Sequence, residues 1–162
     1  MLNHLPLFAG LFGTLILAWG LLRKFENIQF VGLILIILNA LASVPVYLTG
    51  EPAEDVVEKL PGVSEQLIEA HESAAMFALI IGIIAGVAAI VAFASARFAS
   101  KSFNTVAVYA ALIAGLVSAV SMGYTANLGG QVRHSEIRQA QTLSPAGEKK
   151  TETRRSGDDD DH

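Results

Sequence analysis

Four stretches of this chain, residues 5–22, 28–48, 73–96 and 106–128, contain no charged side chain. Each is close to the length that crosses the ~30 Å hydrocarbon core of a bilayer. Outside them little chain is left to build anything else. Charged residues make up 16% of the whole and hydrophobic ones 52%, whereas roughly a quarter of a soluble domain is charged. These figures exclude a soluble Rossmann-like or barrel enzyme and disorder over most of the length. The absence of cysteine excludes a disulfide scaffold. The formal net charge of −4 sits in loops and in one tail, so it says little about partners. The expectation is an all-α, integral membrane four-helix bundle with both termini on the same side.

The first run has no basic n-region and no small-x-small cleavage site, and it continues to Arg23-Lys24. It therefore reads as a retained helix rather than a cleaved signal. Asn3 is placed to cap it, and Pro6 falls in the first turn, where its missing N–H costs nothing. The Leu, Ile, Phe and Val residues of 28–48 alone favour insertion by about 4–8 kcal/mol. Pro45 in that run predicts a kink, with Ser43 or a neighbouring helix satisfying the carbonyl it frees. Between residues 49 and 64 the chain is polar and broken by Gly50, Pro52, Pro61 and Gly62, which bracket a short surface helix over 53–60.

Ser64 is a good N-cap for the third helix, with Val63 and Ile68 spaced as a hydrophobic staple. Running from there to Phe98, that helix would be about 50 Å long, so its first turns stand outside the hydrocarbon with Glu65, Glu69, His71 and Glu72. The fourth helix is expected to end at Leu128-Gly129-Gly130. Residues 1–135 thus form the transmembrane domain, and 144–162 read as a polar disordered tail.

Even-numbered spans put the termini and the 49–72 connection on one side and the two short connections on the other. Arg23, Lys24, Arg97 and Lys101 flank the short connections, against Lys59, Arg133 and Arg138 on the terminal side. The positive-inside rule then gives cytoplasmic short loops and extracytoplasmic termini, in a bacterial cytoplasmic (inner) membrane. Trp19, Tyr47, Tyr109 and Tyr124 fall near span ends, as belt aromatics do.

Lipid supplies no hydrophobic drive for helices to associate, so small residues must mark the packing seams. The fourth helix has Ala107, Ala111, Gly115, Ala119 and Gly123 at every fourth position, the third has Ala75, Ala78, Gly82 and Gly86, and the first has Gly10 and Gly13. These stripes predict a tight bundle and offer a surface for a homo-oligomer. Continuing the third-helix stripe backwards reaches His71, which should point toward the bundle rather than lipid. Asn39 is the one strongly polar side chain near mid-span, and an interhelical hydrogen bond is its expected role.

His4, His71 and His134 all fall on the terminal side, with Glu69 and Glu72 beside them. Imidazoles from separate helices with a nearby carboxylate suit haem b with axial histidines, or a transition-metal ion such as zinc, copper or iron. The candidate cofactor-binding residues are therefore His4, His71 and His134, with Glu72 added for a bare metal. Interfacial polar residues without a ligand remain the plain alternative. A proton-linked carrier would need a charge deep in a span, which is absent. His71-Glu72-Ser73-Ala74-Ala75 lacks the second histidine of a zincin, which excludes that metalloprotease chemistry.

His4-Leu5-Pro6, Leu48-Thr49-Gly50, His71-Glu72 and Leu128-Gly129-Gly130-Gln131-Val132-Arg133-His134 resemble the motifs of a bacterial four-helix membrane family of unknown function (DUF2231-like). The likeness covers about the first 135 residues. That family usually opens with His-Pro and a further histidine about a turn and a half later, whereas here Leu5 intervenes and Phe8 and Ala9 occupy the turn. The resemblance implies a redox-associated or haem-binding role. The resulting expectation is a haem b- or metal-binding electron-transfer component in contact with the lipid bilayer and with cytochrome or other membrane subunits. No nucleic-acid partner is expected. The alternative is a non-catalytic membrane partner or assembly subunit without a cofactor.

Overall fold

The computed structural model describes residues 4–50, 52 and 65–133. Four helices account for nearly all of them: α1 Leu5–Arg23, α2 Glu26–Leu48, α3 Glu65–Phe98 and α4 Lys101–Arg133, with no strand among the described residues. All four are long and apolar enough to span a membrane. The inferred short helix at 53–60, the caps at Asn3 and Ser64, and the tail at 144–162 lie outside the described residues.

Each helix packs on the next, and α4 closes the ring against α1. The order of contacts shows every neighbouring pair running antiparallel. Gly20 meets Ile28 and Gln29 while Gly10 meets Asn39; Ala40 meets Gly86 while Ser43 meets Gly82; His71 meets Gly129 while Ser95 meets Asn104. The start of α1, the end of α2, the start of α3 and the end of α4 therefore share one end of the bundle. Only 33–39% of each apolar window is buried by the other helices. The rest, including Phe12, Leu15, Ile34, Ile84 and Val120, faces outward, which is stable only with lipid around it. The molecule is a multi-pass membrane protein.

The α1–α2 hairpin depends on close backbone approach. A Cβ at Gly32 would lie 2.6 Å from the backbone nitrogen of Leu17, and one at Gly20 would lie 2.7 Å from that of Gln29. Toward the short-connection end, Leu17, Leu33, Ile36, Ala85, Ala89, Ala92, Ala107, Val108 and Ala111 form the apolar core. Phe30 closes it edge-on to Phe93, with centroids 5.3 Å apart. At the following turn Ser95 donates to Asn104 Oδ1 at 2.8 Å, tying α3 to α4.

Lys24 ends α1 with φ 56°, in the left-handed region, and the chain turns through Phe25 into α2. An L-residue is strained there by about 1–2 kcal/mol. Lys24→Gly is accordingly expected to stabilise the protein by about 1 kcal/mol, read as a rise in unfolding midpoint; an unchanged or lower midpoint would contradict this account of the turn.

α1 starts at Leu5 with His4 in the preceding position and no side-chain cap from it. Two local expectations need correction. First, Ser43 does not serve the carbonyl that Pro45 frees. That carbonyl belongs to Leu41, one turn before the proline, whereas the Ser43 hydroxyl donates to Asn39 O at 2.7 Å. Second, α4 does not stop at Gly129-Gly130 but continues to Arg133. Each helical glycine costs only about 1 kcal/mol relative to alanine, and Gly129 is held by its contact with the His71 ring.

Candidate functional site

His71 lies in the second turn of α3, one turn before Ala75 and two before Ala78, on the face that packs toward the bundle. It is half-buried. Its Nδ1 lies 3.1 Å from the backbone oxygen of Thr125 on α4. A carbonyl oxygen can only accept, so Nδ1 carries the proton and, in the neutral ring, the lone pair is on Nε2. The Thr125 hydroxyl donates back across the same seam to Ala74 O at 3.1 Å and also reaches Ser121 O at 3.0 Å. One turn further along α4, the missing side chain of Gly129 makes room for the ring: a Cβ there would lie 3.0 Å from His71 Cε1. Thr125 fixes the imidazole and Gly129, one turn further along the same helix, leaves it room.

The remaining candidates are placed differently. His4 is exposed, and its ring stands edge-on to Phe8 with centroids 6.4 Å apart. Phe8 in turn stacks on Phe12 at 6.1 Å, so His4 begins an aromatic ladder on the outward face of α1. Glu69 and Glu72 are exposed. His134 lies outside the described residues, immediately after α4. Among the described residues, no three His, Cys, Asp or Glu side chains form a group that could hold a metal ion. His71 is thus brought into the α3–α4 seam, while the His4 ring packs on Phe8 at the outward face of α1.

Thr125 is the site residue that sequence reasoning missed. The small-residue stripe was drawn through every fourth position, and each such step overshoots a helical turn by about 40°. From Ala107 to Gly123 that drift accumulates, and Gly123 indeed emerges exposed while Ala107, Ala111 and Gly115 are buried. The inward row turns instead through Ser118, Ser121, Thr125 and Leu128, a mixture of three- and four-residue steps. Thr125, four residues from both Ser121 and Gly129, was the available signal.

No known protein family, curated protein or solved structure matches the chain. What can be said of function rests on this geometry.

Proposed function

We propose that the chain is a membrane-embedded electron-transfer component in which His71 is an iron or transition-metal ligand, at the end of the bundle where α1 begins and α4 ends. The observation that carries this reading is the Nδ1 contact with Thr125 O, which leaves Nε2 as a donor on a ring already fixed in orientation. A backbone carbonyl behind the non-ligating nitrogen is the usual outer-shell partner of metal-bound histidine. The donor set favours haem b over a bare ion. A bare ion needs three or four protein donors, and the described residues offer no such group. Haem iron takes at most two protein ligands; His71 would be one, and His134 is the candidate for the other. Haem would contribute one-electron redox chemistry; His71 would hold and orient it, and Gly129 would keep the ring free to do so. The kinship with the DUF2231-like family, the bacterial inner membrane and extracytoplasmic termini belong to the same proposal.

Protein purified in detergent after haem-replete expression is expected to show a Soret band that shifts on adding dithionite. His71→Ala should abolish it, and Gly129→Val, which crowds the ring, should weaken haem retention several-fold. Bound metal without a Soret band would assign a bare ion. A colourless, metal-free preparation would overturn the proposal.

A second reading, a cofactor-free membrane partner or assembly subunit, is favoured by the outward placement of His4 on Phe8 and the exposure of Glu72. Under it, His71→Ala and His134→Ala leave cofactor content unchanged, and an exposed small residue such as Gly123 mediates association. Gly115 is not a usable probe of such contacts, because a Cβ there would lie 2.6 Å from Thr14 Oγ1 inside the bundle.

A further inference from the structure

Lipid surrounds the bundle, so the side chains at the ends of its spans select which headgroups gather there. Arg23 closes α1, and its guanidinium lies over the ring of Trp19, with Cζ 5.6 Å from the ring centroid. Helical side chains lean toward the N-terminus, so this cation is drawn back over the last turn of the span rather than out into water. Arg23 is exposed, and so are Trp19 and Leu22, the latter at 78%. A guanidinium held among outward-facing apolar side chains at a span end stands where hydrocarbon gives way to headgroup phosphate.

Lys24 adds a second exposed charge. The turn that carries both is braced, since Phe25 N–H donates to Gly20 O at 2.9 Å and Gln29 Nε2 donates to the same oxygen at 3.3 Å. A third cation, Lys101, begins α4, which packs against α1 and starts at the end of the bundle where α1 stops. Acids are scarce here: Glu26 is the one acidic residue from 5 to 48, and residues 73–135 contain none. Such an excess of cations repels the ammonium group of a zwitterionic headgroup and is complemented by a headgroup of net negative charge.

We propose that Trp19, Arg23 and Lys24 form a site for an anionic phospholipid. The Arg23 fork donates to the lipid phosphate, a geometry it fits in bidentate fashion. Lys24 supplies the second charge, and Trp19 and Leu22 meet the upper part of the acyl chain. An acidic protein segment is a poorer occupant, because it would have to bring carboxylates against the apolar Trp19 and Leu22 without compensation. The site needs no ligand at His71 and is the same whichever membrane face is cytoplasmic.

Trp19 is the one tryptophan of the chain, so its fluorescence reports this place alone. The full chain is reconstituted in phosphatidylcholine vesicles in which a fixed fraction of the lipid carries a brominated acyl chain, as phosphatidylglycerol in one set and phosphatidylcholine in the other. Bromine quenches a tryptophan only in close proximity, and the two quenching curves give the ratio of association constants at Trp19. A single cation at an anionic surface changes association about fivefold. The ratio is expected to favour phosphatidylglycerol by at least about threefold, to fall near one in Arg23→Gln, and to decrease in Lys24→Gly. Arg97→Gln, at the end of α3 across the ring from α1, should leave it unchanged. A wild-type ratio near one overturns the proposal, as does a full ratio in folded Arg23→Gln. An equal loss in Arg97→Gln would mean diffuse surface charge and would also overturn it. So would abolition of the ratio by inorganic phosphate but not by sodium chloride of equal ionic strength, which identifies a small-anion site. Should Arg23→Gln not fold, an unchanged ratio in Lys24→Gly overturns the proposal and a lowered one supports it.

Discussion

Gly32→Leu is expected to prevent α1 and α2 from packing and to leave little folded protein. The Cβ would fall 2.6 Å from Leu17 N, 2.8 Å from Gly13 O and 2.8 Å from Leu17 Cα. All three are backbone atoms, so no side-chain rotamer relieves the collision. Overpacking of a core ordinarily costs about 1–3 kcal/mol and occasionally more, and a clash with backbone along a whole seam belongs at or above the upper end. The check is the fraction of protein eluting as a monodisperse, heat-resistant species in detergent. Gly123→Leu is the internal control, because a Cβ there meets nothing within 4 Å. It should fold as the wild type does. If Gly32→Leu also behaves like the wild type, the close approach of α1 and α2 is wrong. If Gly123→Leu folds but changes the oligomeric state, the exposed end of the α4 stripe is an association surface.

The second large effect is expected at Asn39. Asn39→Asp keeps the shape and introduces a carboxylate at a fully buried mid-span position. Insertion of an aspartate at a helix centre costs about 2.5–3.5 kcal/mol, and the described interior has no cationic partner for it. The loss of the Nδ2 donation to Ser118 adds to that penalty. A reversible unfolding titration should therefore show Asn39→Asp less stable than wild type by about 3 kcal/mol, whereas Asn127→Asp, on an exposed residue of the last turns of α4, should change stability by less than about 1 kcal/mol. Equal tolerance of the two would mean that water has free access to Asn39 and that the bundle is not closed around it.

The same contrast explains what could be read in the sequence. Helix number, type and approximate bounds were legible because each span must satisfy its backbone internally and cover about 30 Å of hydrocarbon with apolar side chains. Charge-free runs over 5–22 and 28–48 therefore map directly onto Leu5–Arg23 and Glu26–Leu48. The third helix, expected to start at Ser64 and run to Phe98, is described over Glu65–Phe98. The end of α4 was not legible: a Gly-Gly pair ordinarily signals a helix stop, and only the His71 ring packed on Gly129 shows why the helix continues.

Contacts between helices were partly legible. Asn39 was expected to make an interhelical bond, and it does so to Ser118. His71 was expected to point toward the bundle, and it reaches Thr125 O. His4 could not be resolved in this way. A residue at the first position of a helix has no preceding turn to define its face, and the neighbouring Phe8 and Phe12 decide its placement. Antiparallel packing puts His4 and His71 at one end of the bundle; side-chain packing determines whether they can share a ligand.

That gathering at one end can be measured directly, because the chain has no cysteine to interfere with labelling. Nitroxides attached through His4→Cys and His134→Cys, in protein reconstituted in nanodiscs, give their separation by pulsed dipolar spectroscopy. Neighbouring helix axes are about 8–10 Å apart, so with linkers the account predicts a main distance below about 25 Å. A main distance beyond about 35 Å, as expected for labels separated by the ~30 Å hydrocarbon core, would put the two positions on opposite faces and contradict it.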